Sequence, residues 1–384
     1  MKDKTISIIG AHCCGCTACE QKCPKNAIVF QNSSEGFLYP LINTNDCIKC
    51  DLCSKVCPIL NQQDKRSPIN VYAVKHRDDC IRQRSSSGGV FSLLAQQVIH
   101  DKGVVFGVKY NSENEAIFSY TETMDGLSDF QGSKYVQAYV GNSYADVESF
   151  LKSGRLVLFV GTPCQVLGLK LFLRKEYQNL LVVDFVCHGV PSPKVWRMYL
   201  NDFISSHKAK TITSINFRDK FTGWQKYSCA IEYTDGNRRC VKSTRFDENE
   251  YMKAFLSNVS LRKSCYYCPT KAGKSMADIT IGDFWGIGSR YPAFDDDKGV
   301  SLAVFYSDKV LPQCDMMEVT YEDVLNCNYC LEHSASYPKV SRFFFFVFLR
   351  CTNSFLKTAK CFVLNKPVSK LLHLIDKIIN RVGV

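Results

Sequence analysis

Short apolar runs bounded by turn residues alternate along the chain with stretches of helical periodicity. Residues 71–74, 103–108, 156–160, 180–186, 279–281 and 301–305 each predict a strand, and several are too uniformly apolar to keep one face in water. Between them, apolar positions spaced three and four apart predict helices over 89–100, 145–153, 166–175 and 193–206. Residues 211–242 alternate with period two and turn at Asp235-Gly236-Asn237, which predicts an antiparallel hairpin inserted into an α/β body.

The pattern changes towards the C-terminus. From Pro367 onward Val368, Leu371, Leu372, Ile375, Ile378, Ile379 and Val382 recur at helical spacing, with Lys370, His373, Lys377 and Arg381 on the opposite face. Residues 341–384 hold eight Lys or Arg against Asp376 alone, so much of the formal net charge of +11 sits there. Such a basic amphipathic helix suits an anionic membrane surface, or equally a helix packed on the body or on a partner. Nucleic acid is not expected as a partner, because the tail aromatics cluster in 343–348 instead of interleaving with the cations. The most apolar window, 343–349, is bounded by Arg342 and Arg350, so no spanning helix is expected. The opening Met1-Lys2-Asp3-Lys4 leads to cysteines instead of a small-residue cleavage site, which is not the pattern of a secretory signal.

Composition adds one decisive feature. Among 384 residues of ordinary globular composition there are 21 cysteines, an odd number, which together with the missing export signal predicts reduced thiols in a cytoplasmic protein. Cys13, Cys16, Cys19, Cys23 and Pro24 spell C-x2-C-x2-C-x3-C-P, and Cys47, Cys50, Cys53, Cys57 and Pro58 spell it again. This doubled run predicts two 4Fe-4S clusters, the fourth cysteine of each run crossing to the other cluster. One cluster then takes Cys13, Cys16, Cys19 and Cys57, and the other Cys47, Cys50, Cys53 and Cys23. Cys14 falls outside the spacing and reads as a bystander. A polar segment, 61–67 with Pro68, reads as the linker to the body.

Two expected strand ends carry further cysteines, in Gly161-Thr162-Pro163-Cys164-Gln165 and in Cys187-His188-Gly189-Val190-Pro191. If a helix joins these strands, they are parallel and both cysteines emerge at the carboxyl edge, where open α/β sheets bind ligands. With Cys265 and Cys268 they could hold a third cluster. Alternatively Cys164 and Cys187 are small buried hydrophobes, while Cys265 and Cys268 join Cys327 and Cys330 in a zinc knuckle. No G-x-G-x-x-G or P-loop is present, so phosphate would be held by another scheme. Ser85-Ser86-Ser87-Gly88-Gly89 before a helix and Gly132-Ser133-Lys134-Tyr135 are the candidates, each also consistent with a cap or a turn.

Taken together, these motifs resemble the coenzyme F-420 hydrogenase/dehydrogenase beta subunit family, with a fused ferredoxin domain of the kind found in polysaccharide gene sets. The resemblance rests on the ferredoxin runs, Ser86-Ser87-Gly88-Gly89-Val90, Gly132-Ser133-Lys134-Tyr135, Gly161-Thr162-Pro163-Cys164-Gln165, Cys187-His188-Gly189, Cys265-x2-Cys268 and the segment 277–285 ending in Gly282-Asp283-Phe284-Trp285. It implies an α+β ferredoxin-like module over 1–65, a larger flavin-binding α/β domain over 66–335 and a basic amphipathic helical tail over 336–384. It also implies FAD, held by Ser86, Ser87, Gly88, Gly89, Ser133, Lys134, Tyr135 and Thr162, and a third cluster on Cys164, Cys187, Cys265 and Cys268. Clusters pass single electrons and hydride carriers move two, so a flavin is the expected converter. The expected function is therefore oxidoreduction: electrons pass between ferredoxin-type clusters and FAD, with hydride transfer to or from a substrate, in polysaccharide biosynthesis. Lys134, His188 and Asp283 are the candidate catalytic groups, and a redox partner protein or hydride-carrying coenzyme is the expected partner. The alternative is an electron-transfer subunit without a substrate of its own, docking on a partner reductase.

Overall fold

The computed structural model describes residues 6–382, the side chain of Val382 excepted. The opening Met1-Lys2-Asp3-Lys4 and the Val382 position of the apolar stripe lie outside the described residues.

Strands β1 (Ile28–Asn32) and β2 (Leu38–Ile42) form an antiparallel pair within the N-terminal module. The body is built on an eight-stranded sheet. Its strands are β3 (Asn70–Lys75), β4 (Val104–Tyr110), β5 (Ala116–Thr121), β6 (Val157–Gly161) and β7 (Leu180–Phe185), with β11 (Ile279–Asp283), β12 (Ser301–Phe305) and β13 (Asp315–Glu318). The order is β13-β3-β12-β11-β7-β6-β4-β5. The central four, β11-β7-β6-β4, pair in parallel, and antiparallel strands close both edges. All six strands expected from apolar runs lie in this sheet. The edge strands β5 and β13 were not expected, because one side of each is solvated and their patterns are short and mixed.

The uniform apolarity of the central strands follows from burial on both faces. Val105, Leu158, Val183, Ile279 and Ala303 face one layer with helix Val90–His100, whose Leu93, Leu94 and Val98 meet them. Their neighbours Val104, Phe106, Val157, Phe159 and Val182 face the other layer, made by helices Ser143–Lys152, Pro163–Leu173 and Pro193–His207. The N-terminal module joins this second core directly: Ile6, Ile9, Phe37 and Val56 belong to the same continuous cluster.

Two expectations are revised, and the tail takes up one of its two open readings, a helical region packed on the body. The hairpin is the outer part of a three-stranded antiparallel sheet of β8 (Thr211–Asp219), β9 (Ser228–Asp235) and β10 (Arg238–Arg245), turning at Gly236 and Asn237. The 61–68 segment is not a free tether. Arg66 donates to the carbonyls of Gly273 and Ala277, and Lys65 pairs with Glu332 at 2.5 Å. The C-terminal region is also docked, as helices Lys339–Thr352, Phe355–Phe362 and Lys366–Val382. Phe345, Leu349, Phe355 and Ala359 enter the second core, at roughly 1.5–3 kcal/mol for each large side chain. Asp202 anchors the middle helix by accepting from Ser354 Oγ and Leu356 N. Asp376, the tail's one acid, points inward and accepts from Val340 N, Ser341 N and Ser341 Oγ, capping the first of these helices.

Candidate redox sites

The two ferredoxin runs fold into two concavities, each lined by one of the expected cysteine sets. Cys13, Cys16, Cys19 and Cys57 line one together with Cys14, with Ile6, Ile9, Phe30, Pro40 and Ile59 around them. Cys23, Cys47, Cys50 and Cys53 line the other, beneath Ile28, Ile42 and Ile48. The crossing of Cys23 and Cys57 comes from the pseudo-symmetric placement of two short helices, Ala18–Gln21 and Leu52–Lys55, each entered through a left-handed residue, Thr17 and Asp51. Burial pushes the Cys19 thiol well above its usual range, and the charges of Cys13, Cys57 and Cys53 add to this; burial likewise raises Cys57. Thiols gathered this way ionise only with a cation to receive them, which is the role iron fills when it displaces thiol protons. The doubled C-x2-C-x2-C-x3-C-P spacing of these donors fits a multi-iron cluster, in which each thiolate binds its own iron.

A third set assembles at the carboxyl edge of the sheet. β6 and β7 are parallel, so Cys164, in the first turn of helix Pro163–Leu173, and Cys187, two residues past β7, emerge on the same side. The Cys187–Pro191 loop folds onto Cys265, whose sulfur accepts from Val190 N at 3.4 Å. Burial pushes Cys265 up to about 12 and Cys187 well up, and each thiol feels the charges of Cys164 and Cys268. Cys187, Cys265 and Cys268 each feel the charge of Cys164, and Cys330 faces His188 Nδ1 at 3.4 Å.

Cys14 is not a bystander. It lies in hydrogen-bonding contact with both Cys16 and Cys164, and contact with Cys16 followed by burial drives its own thiol well above the usual range. Gly168 lets the two regions close: a Cβ there would meet Cys16 Sγ at 3.2 Å and Tyr144 Oη at 2.9 Å. The first ferredoxin set and the Cys164 set are thus separated by one side chain.

Beyond the cysteines, the body motifs converge. Ser86 Oγ and Ser133 Oγ are 2.8 Å apart, which joins the two phosphate-binding candidates. Ser87 Oγ donates to Val300 O, and Gly88 N donates to Ser301 Oγ. Gly89, at φ +96°, caps helix Val90–His100. Lys134 Nζ donates to the carbonyls of Asp129, Gln131 and Gly132, and burial draws its pKa down to about 7. Tyr135 stacks on Phe255 at 5.0 Å and its hydroxyl receives Arg218 Nη1 at 3.2 Å. Thr162 stands apart from this group, its hydroxyl spent on Gln165 and Cys164 as a helix cap.

The three expected catalytic groups are not contiguous. Asp283 holds Arg218 through two 2.7 Å bonds and accepts from Trp224 Nε1 at 2.8 Å, so acting as a base would require it to release a buried guanidinium. His188 donates from Nε2 to Asn258 Oδ1 at 2.6 Å, an assignment that follows because Asn258 Nδ2 already donates to Ser336. Burial lowers the His188 pKa. His188 meets Phe255 edge-on at 5.1 Å, so a single ring separates the Cys187 loop from Tyr135.

Arg218 and Lys220, both on or just past β8, were missed. Only a polar-alternating strand with two cations marks them in the sequence. Arg218 lies between the Tyr227 and Trp285 rings, and its Nε is buried with no acceptor. Lys220 Nζ donates to the carbonyls of Arg82, Ser87 and Lys298, while burial and then Arg218 bring its pKa to about 7. Paired hydroxyls, two cations and an unpaired guanidinium N–H are groups that suit an anionic, ring-bearing cofactor.

Paired cluster-binding runs on a ferredoxin-type module, joined to an α/β body, define an iron–sulfur protein of the electron-transfer class. Comparison with known proteins refines this. Residues 12–60 match the 4Fe-4S dicluster domain, and residues 154–321 match the family described as the C terminus of the coenzyme F420 hydrogenase/dehydrogenase beta subunit. The chain is 35% identical over 57 residues to the ferredoxin-type protein NapF of Haemophilus influenzae. That match covers 15% of this chain and 32% of NapF, so the chain spans about a third of that relative. A chain of the F420-reducing nickel–iron hydrogenase complex from Methanosarcina barkeri is 14% identical, with a TM-score of 0.41, over 64% of this chain and 78% of that one.

Proposed function

We propose that the protein is an iron–sulfur flavoprotein oxidoreductase that relays single electrons through three 4Fe-4S sites towards FAD, for hydride transfer to or from a substrate. The observation that carries this reading is the serial placement of the three cysteine sets. Cys50 of the Cys23–Cys47–Cys50–Cys53 set is exposed, Cys13, Cys16, Cys19 and Cys57 are buried, and the Cys164 set follows across Cys14. A redox partner protein reaches the exposed set. From the Cys187 loop, Phe255 leads to Tyr135 and the hydroxyl and cation group that would hold FAD. When bound, a flavin supplies the interconversion of one- and two-electron steps. Around it, Arg218 would offer its free N–H, Ser86 and Ser133 their hydroxyls, and Lys134 and Lys220 their charge.

Iron, sulfide and flavin analysis of anaerobically purified protein tests the proposal. About 12 Fe with FAD is expected, about 8 Fe leaves only the ferredoxin clusters, and less than about 4 Fe refutes it. One observation favours the second reading, a carrier protein with no substrate of its own: Lys134 and Lys220 already spend all three ammonium donors on carbonyls. Clusters without FAD, and no change on Ser86→Ala with Lys134→Ala, select that reading.

The tail supports a place at an anionic membrane face. No helix among the described residues is long and apolar enough to cross a membrane. Yet Leu371, Leu374 and Ile378 are exposed along the last helix beside Lys370, Lys377 and Arg381, while Asp376 is turned inward. The outward surface is thus apolar and cationic together, as peripheral attachment requires. Such a location would suit a reductase serving lipid-linked sugar assembly.

A further inference from the structure

Arg82, Arg218 and Arg342 are buried guanidiniums, and each has a carboxylate: Asp296, Asp283 and Glu35. Arg262 and Lys271 are buried as well, at 0% and 6% exposure, but among the described residues neither forms a salt bridge. Arg262 donates from Nε to Cys13 O at 2.6 Å, from Nη1 to Gln137 Oε1 at 2.9 Å and from Nη2 to Leu38 O at 2.7 Å. Lys271 Nζ donates to the carbonyls of Cys187 at 2.6 Å, Cys330 at 2.9 Å and His333 at 2.7 Å. Carbonyls satisfy the hydrogen bonds and leave the charge unbalanced. A guanidinium cannot shed its proton, and an uncompensated buried charge is strongly unfavourable.

Arg262 also lies over the Tyr39 ring at 4.3 Å and the Phe37 ring at 5.4 Å, and the charges of both cations act on cysteines. Arg262 reaches the backbone of Cys13, and its charge acts on Cys164 and Cys265; the charge of Lys271 acts on Cys187 and Cys268. Even the approach is built in. Gly15 adopts φ +75°, and a Cβ there would lie 2.9 Å from Arg262 Nη1 and 2.6 Å from Gln137 Nε2. Four thiolates around a cluster carry net negative charge, and reduction adds one more.

We propose that Arg262 and Lys271 are the counter-charges of the Cys164–Cys187–Cys265–Cys268 site, and that they raise its reduction potential so that electrons arriving at the Cys13–Cys16–Cys19–Cys57 site run inward. In that step one electron leaves the cluster on the Cys13 set, which is oxidised, and enters the cluster on the Cys164 set, which is reduced. No bond forms or breaks, and no proton has to follow, because fixed cations balance the added charge. Arg262 and Lys271 are positioning residues: they touch the cysteine backbones, not the reacting irons. The inference rests on the three-site reading above.

The test is a dithionite titration of the anaerobically prepared full chain, followed by EPR, with the Cys164-site signal assigned by its loss in Cys187→Ser. Lys271→Met should shift that midpoint negative by at least tenfold in the one-electron equilibrium, about 59 mV, with iron content unchanged. Arg262→Gln should shift it likewise and move the Cys13-site midpoint too, and Arg262→Lys, which keeps the charge, should restore both. Loss of iron in Arg262→Gln would leave Lys271→Met and Arg262→Lys to decide the matter. Midpoints unmoved in Lys271→Met, or moved equally by Arg262→Lys and Arg262→Gln, overturn the proposal. Wild-type protein with only about 8 Fe would instead overturn the three-site reading, and the proposal with it.

Discussion

Glu35 and Arg342, 307 positions apart, form a bidentate ion pair at 2.6 and 2.5 Å that fastens the first C-terminal helix to the ferredoxin-type module. Arg342 also donates to Leu261 O and lies over the Phe346 ring at 4.7 Å. Through this pair the two ends of the chain brace the segment that leads into Arg262, Cys265 and Cys268. Arg342→Met should cost about 3 kcal/mol, because it strands a largely buried carboxylate. Adding Glu35→Gln should recover part of that loss, since no charge is then stranded. Denaturant unfolding of the cluster-loaded chain measures both, and equal stability of wild type and Arg342→Met would deny the pair its role.

Cys14 and Cys16 should part company on substitution. Cys14 belongs to neither neighbouring cysteine set, so Cys14→Ala should keep the full iron complement, whereas Cys16→Ala should lose about 4 Fe. Iron analysis with EPR distinguishes the two. Loss of iron in Cys14→Ala would mean that the ligand sets are drawn wrongly.

Flavin affinity should depend on pH through Lys220 and Lys134. Burial lowers each from 10.5 to about 7, so each loses its charge as pH rises through that value. Attraction for a diphosphate should therefore be stronger at pH 6 than at pH 9, and Lys220→Gln should flatten the profile. The linkage to folding has the opposite sense. Between pH 7 and 10.5 the folded form binds fewer protons than the unfolded one, so these lysines contribute stability that rises with pH across that window. FAD titrations at the two pH values check the first statement, and affinity that is flat in wild type contradicts it.

Membrane attachment should reside in the exposed stripe of the last helix. Removing everything after Tyr337 would take away the buried Phe345, Leu349 and Phe355 and so test folding instead. The joint substitution Leu371→Ser, Leu374→Ser and Ile378→Ser spares Asp376 and the docked face. It should abolish flotation with anionic vesicles, and flotation of the wild type should weaken as salt rises, with each Lys or Arg near the surface contributing roughly 1 kcal/mol. Equal flotation of the two proteins would assign that helix to packing alone.

The ferredoxin cysteines were legible in the sequence because cluster ligation imposes a local spacing: three thiolates two residues apart must wrap one cluster, and a proline must end the loop. The central strands were legible for a similar reason, since burial on both faces leaves nothing polar in the run. The parallel pairing of β6 and β7, which sends Cys164 and Cys187 to one edge, could be argued only conditionally until the register was seen. Other features had no local signature. Cys14 looks idle in the chain, and only the packing of helix Pro163–Leu173 against Cys16 turns it into the link between two sites. Arg218, Lys220, Arg262 and Lys271 read as ordinary surface cations, because burial and the absence or presence of a carboxylate partner are properties of three-dimensional neighbours. The tail shows the same division: its amphipathic period is written in the sequence, but which apolar residues meet the body and which meet solvent was decided by Asp376 capping a helix 35 residues upstream.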